Sequence, residues 1–338
     1  MSSPTPDTMP ANQRPPLHAD MPLMVVLNAA SGRHGSENTV ESLRSYLHQS
    51  RQPHELHVVH RPRDLPHAAR RAAASARERG GALVAVGGDG SINAVACEAW
   101  QAGLALGVIP QGTFNYFARA QDVPIALEAA LRHLLDGVRF GRLRPVQVGQ
   151  LNQALFLVNA SVGLYPQLLQ DREAQKQRWG RSRLVAAWAA LCTVMAGHSD
   201  LHLHLGTSEH PALVVRTPTL FVGNNALQMD QVGLPEAREV GRGALSAVAL
   251  EPLSRWGLLT LAVMGALGRL GQAKAVRHAA VTSLMASPMG GTPRRGWRAL
   301  RVAIDGETRW MQPPLRFEVA SRPLWLLGAP LRPPDAMA

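Results

Sequence analysis

Residues 82–96 read Ala-Leu-Val-Ala-Val-Gly-Gly-Asp-Gly-Ser-Ile-Asn-Ala-Val-Ala. The opening run, Ala82–Val86, is short, apolar and β-branched, which predicts a buried strand. Gly87-Gly88-Asp89-Gly90 ends it, and Ile92–Gln101 is helix-compatible, with Ser91 standing where an N-cap belongs. A strand, a glycine turn and a helix make a phosphate seat. Glycines let the backbone approach a ligand closely, and the helix's first N–H groups face that ligand. Asp89 is awkward in such a seat, because a carboxylate repels phosphate. Its presence predicts a nucleotide whose phosphates are handled with Mg²⁺. Taken alone, the pattern fits an ordinary βα turn equally well. The chain has no G-x-x-x-x-G-K-[ST] and no G-x-G-x-x-G after its first strand, so it carries neither a P-loop nor the dinucleotide fingerprint.

On either side of this stretch strands and helices alternate. Leu23–Leu27, Leu56–Val59, Ala82–Val86 and Leu104–Ile109 read as strands. Ser36–Gln49, Leu65–Arg79, Ile92–Gln101 and Ile125–Leu135 read as helices. That order predicts a mostly parallel sheet covered by helices, with ligands bound outside the carboxyl ends of its strands. After Arg144 short alternating segments take over: Val146–Val148, Leu155–Asn159, Leu201–Leu205, Leu213–Val215, Thr219–Val222, Ala244–Leu250, Ala279–Ser283, Ala299–Ile304 and Leu315–Val319. They predict an antiparallel sheet or sandwich, interrupted by helices at Arg178–Ala196 and Ser254–Gly268. The fold class is therefore α/β, an N-terminal parallel-sheet nucleotide domain followed by a second, mostly antiparallel β domain with helical insertions. The expected divisions are a disordered tail over 1–20, the nucleotide domain over 21–144 with 315–330 as a candidate completion, and a β-rich substrate domain over 145–314.

Composition narrows the class. The 338 residues are 46% apolar, ample for a packed core, and the formal charge of +11 at pH 7 points to an anionic partner. Arginine supplies nearly all of that charge. The arginines are scattered and aromatics make up only 5%, which argues against a nucleic-acid binder. Cys97 and Cys192 have neither metal nor disulfide spacing, in keeping with a reducing compartment. The polar, proline-rich start has no apolar h-region, so a signal peptide is not expected. The longest apolar runs, Leu184–Gly197 and Trp256–Leu267, are too short to span a bilayer and read as core or interfacial helices.

Three further segments stand with the glycine turn. Asn28-Ala29-Ala30-Ser31-Gly32-Arg33 ends the first strand. Pro110-Gln111-Gly112-Thr113-Phe114-Asn115-Tyr116-Phe117-Ala118-Arg119 follows the fourth, and Ala303-Ile304-Asp305-Gly306-Glu307 lies near the C-terminus. Asn28, Ser31 and Gly32 offer donors at a strand end, and Arg33 a charge able to neutralise phosphate. Gly112-Thr113 gives a second loop. Asn115 could orient a nucleotide or simply close an Asx turn. In an extended strand end residues two apart share a face, so Asp305 and Glu307 could reach one site. A surface Asp-Gly hairpin turn is the other reading.

In this order the four segments resemble the diacylglycerol kinase catalytic-domain family, which includes bacterial lipid kinases, sphingosine kinases and ceramide kinases. Its patterns are N-P-x-S-G, G-G-D-G-T, P-x-G-T-x-N-D-F-A-R and D-G-E, and the resemblance runs from Leu23 to about Leu327. It implies an ATP-dependent lipid kinase that transfers the γ-phosphate to a hydroxyl of diacylglycerol or a related lipid alcohol. ATP and Mg²⁺ are then the cofactors. The nucleotide is expected on Asn28, Ser31, Gly32, Arg33, Gly87, Gly88, Asp89, Gly90, Ser91, Gly112, Thr113 and Asn115. Asp305 is implied as the general base, Glu307 as its catalytic support, and Asp89 and Glu307 as metal contacts. The expected partners are the lipid substrate and an anionic membrane surface. The location would be cytoplasmic and peripheral to the membrane, and a homodimer is left open. Kinases of alcohols need positioning, charge neutralisation and a proton acceptor, which these residues could supply.

The sequence departs from the pattern at several points. Ser91 replaces Thr, Ala29 replaces Pro, and Tyr116 replaces the Asp of N-D-F-A-R. Gly243-Ala244-Leu245-Ser246 stands where members often have D-G-x-L-D, which argues against a structural metal there. An NAD kinase shares the G-G-D-G turn, and a degraded lipid- or nucleotide-binding protein would explain Tyr116; both remain alternatives. His202 and His204 alternate on one strand face with no third ligand near in sequence. Arg294, Arg295 and Arg298 form a basic loop suited to solvent or to lipid headgroups.

Overall fold

A computed structural model describes residues 14–29, 36–163, 200–207, 213–253, 255–289 and 298–328. Most of the expected N-terminal tail, the helix expected over 178–196, Cys192, Ser31, Gly32, Arg33, Arg294 and Arg295 lie outside the described residues. The chain divides into two compact units, Met1–Val146 with Ala320–Ala338, and Gln147–Val319.

In the first unit the order is β1 (Leu23–Asn28), α1 (Ser36–Gln49), β2 (His54–Val59), α2 (Leu65–Glu78), β3 (Ala82–Gly87), α3 (Asp89–Ala102), β4 (Ala105–Pro110), α4 (Tyr116–Ala120), α5 (Leu127–Arg139) and β5 (Leu143–Val146). A last strand, β18 (Leu324–Leu327), returns from the end of the chain. The sheet order is β2-β1-β3-β4-β18-β5, parallel except for β5 against β18. Every residue of β1, β3 and β4 is buried. Strands covered on both faces read as unbroken apolar runs, as these do. Each buried Val or Leu side chain contributes about 1.5–3 kcal/mol of transfer free energy. On one face α2 buries Ala68, Ala69, Ala72, Ala73 and Ala76, small side chains that let it lie close. The returning segment is fixed to α3 by Trp100, whose Nε1 donates to the Arg322 carbonyl at 3.0 Å while the Arg322 guanidinium lies 4.2 Å over the indole. The return begins at Ala320 rather than 315, because Leu315–Val319 pairs within the second unit.

The second unit is antiparallel throughout its named strands. These are β6 (Gly149–Leu151), β7 (Ala154–Phe156), β8 (Asn159–Gly163), β9 (Leu201–Gly206), β10 (Leu213–Thr217), β11 (Thr219–Gly223), β12 (Leu245–Leu250), β13 (Val276–Val281), β14 (Ser283–Pro288), β15 (Leu300–Ile304), β16 (Glu307–Met311) and β17 (Leu315–Val319). Helices α6 (Ala226–Gln231) and α7 (Arg255–Ala266) interrupt them. Two six-stranded sheets form, β10-β9-β14-β17-β6-β7 and β13-β12-β11-β8-β15-β16. Phe156, Leu203, Leu284 and Phe317 of the first meet Val162, Leu220, Leu245 and Val302 of the second in one buried cluster, the arrangement of a sandwich. A separate cluster of Met229, Leu234, Val248, Leu261 and Leu270 binds α6 and α7 to the outside of the second sheet.

Some expected strands divide differently. Leu155–Asn159 is β7 and β8 with a break at Leu157–Val158, and Ala279–Ser283 straddles the change from β13 to β14. Of the expected Val146–Val148 strand, Val146 ends β5 and Gln147–Val148 is the gap before β6, across which the chain passes from one sheet to another.

Candidate active site

In the first unit β1 has β2 on one side and β3 on the other, so the chain reverses its direction of travel across the sheet at the β1–β3 boundary. Open parallel sheets bind ligands at the carboxyl ends of the strands flanking such a point. Asn28 ends β1 there, and its Nδ2 donates to Ser91 Oγ at 2.9 Å, both groups buried. Ser91 is therefore not the N-cap: α3 begins at Asp89 with Gly88 as its cap residue, and Ser91 lies within the first turn. No side chain caps α3 from Gly88, and of the helix's first N–H groups that of Asp89 faces its own carboxylate.

The two glycine loops pack on each other. A Cβ on Gly88 would come 3.2 Å from Gly112 Cα, and one on Gly112 would come 2.6 Å from Gly88 Cα and 2.8 Å from Asn115 Oδ1. Gly88 has φ −83°, open to any residue, so close packing and not backbone freedom demands glycine here. Asn115 closes the second loop. It adopts φ 51°, its Oδ1 accepts from the Gly112 N–H at 2.8 Å, and its Nδ2 donates to the Gly112 carbonyl at 3.0 Å. Of the two roles expected for Asn115, loop closure is the one its bonds display. Thr113 is exposed beside it.

Asp89 turns away from the phosphate seat. Its Oδ2 accepts from the Tyr116 N–H at 3.2 Å and its Oδ1 from the Phe117 N–H at 3.0 Å, so it ties the glycine turn to the start of α4. Burial raises its carboxyl above the ordinary aspartate range, opposed by the N–H groups of Phe117, Tyr116, Asn115 and its own residue. The carboxylate that the sequence placed awkwardly in a phosphate seat is thus held by backbone amides. Tyr116 stacks on Phe114 with centroids 5.6 Å apart and planes 10° from parallel.

In the second unit Asp305 and Gly306 form the two-residue loop between β15 and β16, with Ile304 paired to Glu307. Both loop residues have positive φ, 46° and 90°, the pattern of a type I′ turn. Asp305 and Glu307 therefore do not share a face of one extended strand. The Asp305 carboxylate is buried and accepts three backbone N–H groups, from Leu157 at 2.7 Å and from Val158 and Asn159 at 2.9 Å each. Its own N–H donates to the Asn159 carbonyl at 2.9 Å. This explains the break between β7 and β8: the amides of Leu157 and Val158 serve a side chain instead of a strand partner. Glu307 keeps its solvent access, yet desolvation by the protein around it raises its carboxyl above the ordinary range, against the pull of Arg309.

Residues that the sequence did not single out surround this hairpin. Asn159 Nδ2 donates to Gln228 Oε1 at 3.1 Å, and Asn224 Nδ2 to the Leu157 carbonyl at 3.2 Å. Gln147 Nε2 donates to Asn224 Oδ1 at 2.7 Å and to the Ala244 carbonyl at 2.9 Å, and its Oε1 accepts from the Gly243 N–H. Amides thus bracket the segment Gly243–Ser246, which itself carries no carboxylate. The adjacent pair Asn224-Asn225 at a strand end was the available signal. Among the described residues no three His, Cys, Asp or Glu side chains converge as a metal cage. His202 and His204 lie exposed on β9. No described helix is long and apolar enough to cross a membrane.

Comparison with known proteins agrees with these motifs. Residues 22–151 match the diacylglycerol kinase catalytic domain family. A protein named diacylglycerol kinase from Bacillus subtilis is 33% identical over 156 residues, 44% of this chain and 47% of that one. A "Probable lipid kinase YegS-like" from Pseudomonas aeruginosa is 34% identical over 132 residues, 38% of this chain and 40% of the relative. The matched region spans less than half the length of these relatives. A crystal structure of a diacylglycerol kinase from Bacillus anthracis has the same fold, with TM-score 0.60 at 12% identity, covering 91% of this chain and 96% of the other. Yeast NADH kinase complexed with NADH is more distant, with TM-score 0.50 at 9% identity, covering 91% and 83%. Over residues 22–151 this chain is similar to the diacylglycerol kinase catalytic domain family.

Proposed function

We propose that this chain is an ATP-dependent lipid kinase acting on a hydroxyl of diacylglycerol or a related lipid alcohol. The observation that carries the reading is the convergence of Asn28, the Gly87–Ser91 turn and the Gly112–Asn115 loop at adjacent strand ends of a domain matching that family. The uncapped start of α3 suits the nucleotide's phosphates, and Asn115 and Asp89 hold the two loops that would shape the seat. Magnesium would enter as the nucleotide's counter-ion, held mainly by phosphate and water, since the described residues offer it no cage.

The proton acceptor in this reading is Glu307. A general base works best when its pKa is lifted toward the working pH and its carboxylate is accessible; Glu307 has a raised carboxyl and an exposed side chain, which supports this reading. Asp305, first expected in that role, has its oxygens engaged by three amides and is here a positioning residue that fixes the hairpin presenting Glu307. The test is incubation of the full chain with radiolabelled ATP and magnesium, in one arm with a bacterial lipid extract and in another with NAD. Label in the organic phase that disappears in Glu307→Gln supports the reading. Nucleotide binding without label in any lipid would favour a binding protein instead, and label in NAD would favour the NAD kinase alternative.

A further inference from the structure

Trp310 is the most exposed large hydrophobic side chain among the described residues, at 65%. It lies on β16, an outer strand of its sheet, three residues beyond Glu307, so about 10 Å along the strand. The Arg301 guanidinium, from the cross-strand partner position on β15, sits 5.1 Å over the indole ring. Arg298 and Arg309 are exposed on the same hairpin region, and Glu307 is its one surface carboxylate, because that of Asp305 is turned inward. Side chains alternate along a strand, so Trp310 and Arg301 share one face of the hairpin while Glu307 and Arg309 take the other, and the surface is an exposed indole with one guanidinium stacked on it.

From this we infer that the β15–β16 hairpin is a docking surface for an anionic phospholipid bilayer, with Trp310 entering the interface and Arg301 facing lipid phosphate. The occupant follows from the chemistry. An indole has an apolar body and one N–H donor, which suits the boundary between headgroups and acyl chains. Arginine stacks on aromatic rings and recognises phosphate, and each basic residue near an anionic leaflet adds attraction. The chain's charge of +11 has the complementary sign. Pairing of β16 with a second copy of the chain is disfavoured, since charged side chains at Glu307 and Arg309 blunt an edge strand. The inference rests on the lipid-kinase reading for its purpose, as it would hold Glu307 near substrate embedded in the bilayer.

The experiment is co-sedimentation of the full chain with phosphatidylcholine vesicles, with and without phosphatidylglycerol, in the absence of ATP. The expected result is preferential binding to the anionic vesicles. Trp310→Gln should weaken it about tenfold, Trp310→Tyr should retain most of it, and Arg301→Gln should reduce it together with its salt sensitivity. Thermal unfolding and turnover of a short-chain, water-dissolved diacylglycerol should stay at the wild-type level in Trp310→Gln. Equal vesicle binding by wild type, Trp310→Gln and Trp310→Tyr overturns the inference. So does a change of oligomeric state in Trp310→Gln by light scattering with vesicle binding unaltered, which would make the hairpin a contact between copies. If Trp310→Gln does not fold, the Trp310→Tyr and Arg301→Gln measurements decide alone. Vesicle binding through Trp310 without phosphorylation of any lipid would sink the kinase reading and leave the docking surface standing. Turnover of the soluble substrate with no role for Trp310 in vesicle binding would do the reverse.

Discussion

Gly88 and Gly112 meet Cα to backbone, so that a single methyl on Gly112 would fall 2.6 Å from Gly88 Cα. The glycine turn and the following loop are one packed object. The contact is asymmetric, because the same methyl on Gly88 would lie at 3.2 Å and meet nothing else within 3.4 Å. Gly112→Ala should therefore destabilise the fold by about 1–3 kcal/mol and abolish calorimetric ATP binding. Gly88→Ala should cost less than half of that. Equal melting temperatures for wild type and Gly112→Ala would show that the loops are not in contact in solution.

The two acids of the hairpin should separate cleanly. Asp305→Asn places an amide NH₂ against amide N–H groups and leaves at least one buried donor unpaired, at a cost of about 3 kcal/mol in urea unfolding. Glu307→Gln should leave stability within about 0.5 kcal/mol and lower kcat by about 10²-fold or more. A stable, inactive Asp305→Asn would return the base to Asp305.

The raised pKa of Glu307 sets a direction for the rate profile. A base must be ionised to accept a proton, so kcat should fall on acidification, and fall at a higher pH than an ordinary glutamate would give. Arg309 opposes the shift, so Arg309→Gln should move this acid limb to still higher pH. An acid limb unmoved in Arg309→Gln and persisting in Glu307→Gln would assign it to another group.

His133 on α5 gives a stability prediction. Burial holds its imidazole below the usual histidine range, helped by Arg142 and Arg144 and opposed by Asp136, and its Nε2 is buried without a partner. The folded state thus prefers the neutral ring. Its contribution is present above the unfolded value of about 6.5 and is lost as pH falls through the lower folded value. His133→Gln should shrink the loss of urea stability between about pH 7 and about pH 5. An identical pH dependence in the variant would remove His133 from the acid response.

Tyr116→Asp restores the family's residue but not the family's surroundings. It breaks the stack on Phe114 and adds a carboxylate beside Asp89, which already accepts the residue's own N–H. Thermal stability and turnover should both fall. A gain in turnover would mean that Tyr116 merely replaces a lost carboxylate.

Local pattern determined a good deal of this protein. Unbroken apolar runs at Leu23–Leu27, Ala82–Val86 and Leu104–Ile109 predicted strands, and the helices between them predicted a parallel sheet, as observed with β1, β3 and β4 buried throughout. The four motifs were legible because the residue types and their order carry the resemblance. Tertiary structure decided the roles. No local signal says that Asp89 reaches 27 residues ahead to the N–H of Tyr116, that Gly88 is a packing partner of Gly112, or that Asp305 collects amides about 147 residues before it. Nor could spacing show that the Leu155–Asn159 run breaks at Leu157. A buried carboxylate must find donors wherever the fold supplies them, and here it drew them from a strand that the sequence alone had no reason to interrupt.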